Sequence, residues 1–197
     1  MFNYPSLNGT GYQRSTRHGM LLLGYPSPSV AAEIADRTDR FRNLAKLTGR
    51  RLLTDRFHVT LFDLGEYLEL PDELVVRVCR AMATIICPPV EMTFDRLQTF
   101  KRRSFDKPLV LVGGDGLSDV CRLHQMIAQA LVEAGLKIAK PSFTPHITLL
   151  YDPRTIMPRA IDPVRWTMTE FVLVDSLRGQ TKHVPLARWQ LRGDPNG

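Results

Sequence analysis

The chain has 197 residues, with 26 Lys+Arg against 20 Asp+Glu for a formal net charge of +6. Its hydrophobic fraction of 44% and charged fraction of 23% suit a globular protein and exclude a disordered, collagen-like or coiled-coil chain. The longest apolar run, Met20-Leu21-Leu22-Leu23, is far below the roughly 18 residues of a membrane helix, so no membrane association is expected. Three cysteines, Cys79, Cys87 and Cys121, form neither a disulfide framework nor a C-x-x-C pair, which suggests a reducing, cytoplasmic setting. A pI near 9.5 favours anionic partners such as RNA.

Residues 1 to about 17 are turn-rich and lack periodicity, and they read as a tail before a single domain over 18–197. Gly19 to Tyr25 reads as a strand. Ser27-Pro28 supplies a cap and a first-turn proline for a helix whose stripe is Val30, Ile34, Phe41 and Leu44, with Gly49 as its stop. Arg51 to Leu64 is strand-like. Pro71-Asp72-Glu73 opens a second helix with its acidic groups at the positive end of the dipole, and Pro88-Pro89 stops it. Val90–Phe94 and Leu109–Val112 read as strands joined through the basic stretch Phe100-Lys-Arg-Arg-Ser-Phe105. A third helix is expected from about Leu117 to Ala134, ended by Gly135. Phe143–Leu150, Trp166–Val174 and His183–Leu191 read as further strands. This order predicts an α+β fold with helices on one side of largely antiparallel sheet.

One short motif occurs twice: Phe57-His58-Val59-Thr60-Leu61-Phe62 and Pro145-His146-Ile147-Thr148-Leu149-Leu150. In a strand, residues two apart share a face, so each copy sends His and Thr one way and the apolar pair the other. With five His and fifteen Thr in the chain, a lone H-x-T is unremarkable. Two copies that share a β-branched residue and a following Leu arise by chance at roughly 10⁻⁴. Two imidazoles facing one site can divide proton transfers, one accepting from water and one donating to a leaving oxygen. Two threonine hydroxyls can hold non-bridging phosphoryl oxygens. That set suits displacement at phosphorus without a metal, and a 2′,3′-cyclic phosphate fits because its alkoxide leaving group needs a proton.

On these motifs the sequence resembles the 2H phosphoesterases, in particular the RNA 2′,3′-cyclic phosphodiesterases also called 2′-5′ RNA ligases. The resemblance runs from about His18 to Val174 and includes Phe143-Thr-Pro-His-Ile-Thr-Leu149, Phe100, Gly65 and the 88-residue separation of His58 and His146. It implies two pseudo-symmetric α+β lobes, helices outside, each lending one motif to a central cleft. It further implies His58 and His146 as the acid–base pair, Thr60 and Thr148 as phosphate holders, and a cyclic phosphate on RNA or a nucleotide as substrate. The product would be the 2′-phosphate, with 2′-5′ joining as the reverse reaction. No cofactor or metal is expected, and the protein is read as a monomer.

One position departs. RNA-processing members commonly carry a basic residue five places after the second His, where this chain has Tyr151, whose hydroxyl can bind substrate without charge. The departure leaves open a smaller substrate, such as an ADP-ribose cyclic phosphate, and a non-catalytic nucleotide-binding module is the remaining alternative. Among the other histidines, His124 lies on the stripe Leu117, Val120, Ile127, Leu131 and reads as a helix-edge residue bonded to a carbonyl. His18 and His183 read as surface or boundary residues. Lys101-Arg102-Arg103 reads equally as a solvated turn or as an RNA contact. Gly113-Gly114-Asp115-Gly116 lacks a phosphate-loop pattern and reads as a turn.

Overall fold

The computed structural model describes residues 17–138, 143–180 and 182–193. Apart from Arg17, the expected tail lies outside the described residues. Strand β1 (His18–Gly24) is apolar throughout because both of its faces are covered. Met20 and Leu22 enter the main core, whereas Leu21 and Leu23 form a small cluster with Val172 and Val174. Helix α1 (Pro28–Leu44) starts as expected, with Ser27 Oγ accepting from the Val30 N–H at 3.4 Å and Pro28 in the first turn. It ends at Leu44, before Gly49. Gly49 has another use: a Cβ there would lie 2.0 Å from the Tyr151 carbonyl oxygen, so only glycine permits this approach of two backbones.

Helices α2 (Asp72–Met82) and α3 (Ser118–Glu133) pack against each other and follow their predicted stripes. The remaining strands are β2 (Val59–Tyr67), β3 (Val90–Thr99), β4 (Lys107–Val112), β5 (Ile147–Asp152), β6 (Arg159–Met168), β7 (Glu170–Leu177) and β8 (Lys182–Gln190). The strand expected from Phe143 begins only at Ile147, Leu44 of the expected α1 stripe is 84% exposed, and two longer stretches also need correction. Residues 51–58 are not continuous strand: 54–56 form a 3₁₀ turn, and the Leu52 N–H donates to the Leu149 carbonyl at 2.8 Å. The stretch Trp166–Val174 is broken at Thr169 and supplies two strands, one to each half of the sheet.

The order across the sheet is β6-β3-β4-β5-β2-β1-β7-β8, with every pairing antiparallel. It divides into two four-stranded halves, β6-β3-β4-β5 and β2-β1-β7-β8, which mirror each other about the β5–β2 seam. That seam consists of one residue pair, Val59 with Ile147. The fold is therefore α+β with two related halves, as expected. The helices bury Ile34, Met82, Leu123 and Ile127 against one sheet face, where Val59, Leu61, Ile147 and Leu149 also point. Among the described residues, no helix is long and apolar enough to cross a membrane. The three cysteines are unpaired.

Candidate active site

The seam brings the two motifs together. Val59, Leu61, Ile147 and Leu149 are at most 2% exposed, while His58, Thr60, His146 and Thr148 are half-buried on the opposite face. With Val59 opposite Ile147 in an antiparallel pair, extending the register by one residue sets His58 opposite Thr148 and Thr60 opposite His146. The two histidines are then diagonal neighbours, with Cβ atoms about 7–8 Å apart, which leaves room for one phosphoryl group. Neither threonine hydroxyl is engaged by another described residue.

Each motif is followed by a bulge at its leucine. In β2, Leu22 pairs with Phe62 but Leu23 pairs with Thr60, which leaves Leu61 extra. In β5, Leu109 pairs with Leu150 but Val110 pairs with Thr148, which leaves Leu149 extra. The bulge reverses the alternation. Leu149 and Leu150 both enter the core, and Tyr151 turns onto the face of His146 and Thr148, where it is 43% exposed. Strict alternation would have sent Tyr151 to the core. The matching residue of the other half is Asp63, also exposed.

Both imidazoles are held in the same way. His58 Nδ1 lies 2.7 Å from the Arg56 carbonyl, and His146 Nδ1 lies 2.7 Å from the Thr144 carbonyl. Nδ1–H donates to the carbonyl in each case, so Nε2 is the nitrogen free for chemistry. Burial pushes His58 down to about 4, only partly opposed by the carbonyl bond, and Arg56 and, when protonated, His146 push the same way. His146 is also lowered, by burial first and then by Arg102, against the bond to Thr144. Both rings therefore sit below the ordinary imidazole value of 6.5 and are neutral at pH 7.

The surroundings of the two rings were largely invisible to the sequence. His183 was expected as a surface or boundary residue with no part in the site, but its ring centroid lies 5.2 Å from that of His58. Burial, with the nearby His58, Arg56 and Arg178, lowers it to about 3. The Tyr25 ring lies 6.1 Å from His58, and its hydroxyl is 2.9 Å from His183 Nδ1. Burial raises that phenol to about 12, so Tyr25 stays protonated and its hydroxyl shares a hydrogen bond with His183 Nδ1. On the other side Phe100 meets His146 edge-on at 4.9 Å, which places the start of the basic loop against the site. His124 behaves as expected: it is 8% exposed, bonds the Leu61 carbonyl at 2.7 Å and stacks on Phe143. His18 pairs with Asp175 at 2.7 Å, away from the motifs.

Two cavities flank the four motif residues. One, of about 620 Å³, runs along β2 and is lined by Thr60, Asp63, Lys137, Phe143 and His146. The other, of about 560 Å³, lies beyond Tyr25 and His183. Tyr151 lines neither. Among the described residues, no group of three or more His, Cys, Asp or Glu is placed to hold a metal ion.

A paired-imidazole site on a two-half α+β sheet defines a 2H phosphoesterase, and comparison with known proteins agrees. Residues 26–180 match the family model of the 2′-5′ RNA ligase superfamily, and the chain belongs to that superfamily. E. coli LigT complexed with 3′-AMP is similar at 25% identity and a TM-score of 0.68, covering 89% of this chain and 98% of LigT. LigT complexed with NADP+ is similar at 28% identity and a TM-score of 0.66, over 90% and 99%. TT0787 of Thermus thermophilus shares the fold, with 19% identity and a TM-score of 0.67 over 89% and 99%. A search of curated proteins found no match.

Proposed function

We propose that the protein is a metal-independent phosphodiesterase that opens 2′,3′-cyclic phosphates on RNA or nucleotide ends to the 2′-phosphate. The observation that carries this reading is the pairing of Val59 with Ile147, which presents two histidines and two threonines from one sheet face. The nucleotide held by LigT in its 3′-AMP complex supports a nucleotide substrate.

Thr60 and Thr148 donate their hydroxyls to the two non-bridging oxygens. Water attacks phosphorus in line with the P–O3′ bond. One Nε2 takes the proton from water, and the other Nε2–H protonates O3′ as it leaves, so water adds across P–O3′ to give a 2′-phosphate and a 3′-hydroxyl. His58, the more buried of the pair, is assigned as the base. His146 is the acid, charged when the anionic phosphate offsets its burial. A binding module would need no such pair with both Nε2 atoms left free.

The test is incubation with a 2′,3′-cyclic mononucleotide and with a cyclic-ended oligonucleotide, before and after dialysis against a strong chelator. Chromatography should show a 2′-phosphate from at least one substrate at an unchanged rate. Activity lost to the chelator and restored by Zn²⁺ or Mn²⁺ would overturn the mechanism. An inert protein would favour the binding module.

A further inference from the structure

The cavity beyond His58 has a composition that the reaction at the motifs does not explain. Its wall toward the motifs is made by Tyr25 and His183, the two rings that pack near His58. Three cationic side chains, Arg56 from the turn before β2 and Lys182 and Arg188 from β8, line the same space. Two carboxylates also line it, Asp55 and Glu170. Glu170 is engaged, bonding Arg188 at 2.6 Å and Gln190 at 2.7 Å. The first turn of α1, with Pro28 and Ala31, forms another part of the lining and carries no acidic residue, so the positive end of its dipole is left uncompensated. The Tyr25 hydroxyl and the His183 ring, joined by a hydrogen bond, are further polar groups on this wall. The cavity beside His146 differs: among the described residues, the Asp, Glu, Lys and Arg side chains that line it are Asp63 and Lys137 alone. The lining beyond His58 thus carries three cations against two carboxylates, with Arg188 paired to Glu170, whereas that beside His146 carries one of each and has the Lys101-Arg102-Arg103 loop nearby.

We propose that the cavity lined by Tyr25, Arg56, Lys182, His183 and Arg188 is a second anion subsite, which takes the phosphoryl group next to the one being opened. The inference rests on the phosphodiesterase reading for the position of the first phosphate, and it adds a substrate class: nucleotides that carry a second phosphate. That phosphate is either the terminal group of a bisphosphate or the next diester of an oligonucleotide.

Binding is measured by calorimetry with three product-like probes: a nucleoside 2′-monophosphate, the nucleoside 2′,5′-bisphosphate, and a dinucleotide ending in a 2′-phosphate. The wild-type protein should bind the bisphosphate or the dinucleotide at least about tenfold more tightly than the monophosphate, the scale of a charge-assisted contact. Whichever is preferred identifies the source of the second phosphate. In the Lys182→Gln/Arg188→Gln variant that ratio should fall below about threefold. Lys182→Gln alone, at an exposed position, should lower it part of the way and serves if the double variant does not fold. Equal affinity for all three probes, or a preference unchanged in the variants, would overturn the subsite. A preference lost in the variants, from a protein that opens no cyclic phosphate, would uphold the subsite and sink the phosphodiesterase reading.

Discussion

The position of His58 has a consequence for stability that can be measured apart from activity. Burial lowers its proton affinity from the ordinary 6.5 to about 4 in the folded protein. Between these values the unfolded chain binds a proton that the folded chain refuses. The stabilisation is therefore complete above pH 6.5 and is lost as pH falls from 6.5 toward 4. At about 1.36 kcal/mol for each tenfold change in proton affinity, lowering the pH from 7.5 to 4.5 should cost about 2.5 kcal/mol through this residue alone. The assay is guanidinium unfolding at both pH values for the wild type and for His58→Gln. The wild type should lose about 2.5 kcal/mol more than the variant, because the other histidines titrate in both and cancel to first order. Parallel losses in the two proteins would refute the burial argument. The same group sets the acid limb of kcat/KM, which should reach half-maximum near pH 4, the value burial gives His58. The alkaline limb follows His146 and should lie below 6.5 in the free enzyme. It should move upward in kcat, because bound phosphate favours the charged ring.

His58→Ala and His146→Ala should each lower kcat by about 10²–10⁴ with folding retained by circular dichroism, whereas Thr60→Ala and Thr148→Ala should cost less. A threonine variant slower than both histidine variants would contradict the assigned roles. Neutralising Lys101, Arg102 and Arg103 together should weaken oligonucleotide binding and flatten its salt dependence. It should also raise the alkaline limb of the reaction, since Arg102 is one of the causes that hold His146 low; an unmoved limb would remove Arg102 from the site. Asp152 accepts from the backbone N–H groups of Thr48 and Gly49 at 2.7 Å each and of Arg154 at 2.8 Å. Asp152→Ala should therefore cost about 2–4 kcal/mol in chemical denaturation, and a loss below about 1 kcal/mol would show that water replaces the carboxylate there.

The arrangement of side chains at the seam was legible from the residues alone. Period-two alternation puts His58 with Thr60 and His146 with Thr148, and it sends Val59, Leu61, Ile147 and Leu149 to the core, because a strand has only two faces. The helices were legible too, from the Ser27-Pro28 start, the acidic opening of α2 and the apolar stripes. Contacts between residues distant in the chain were not legible. The seam pairs positions 88 apart, and β8 brings His183 to His58 across 125 residues, with no local pattern to announce it. The bulges at Leu61 and Leu149 were hidden because they are defined by the partner strand, and Tyr151 gained its face only through them. Thr169 broke a run that reads as one strand because the two sides of the break pair with different neighbours, β3 and β1. Burial, and with it the lowered proton affinity of all three site histidines, belongs to the packed structure alone: desolvation depends on what surrounds a ring, and only the tertiary fold supplies those surroundings.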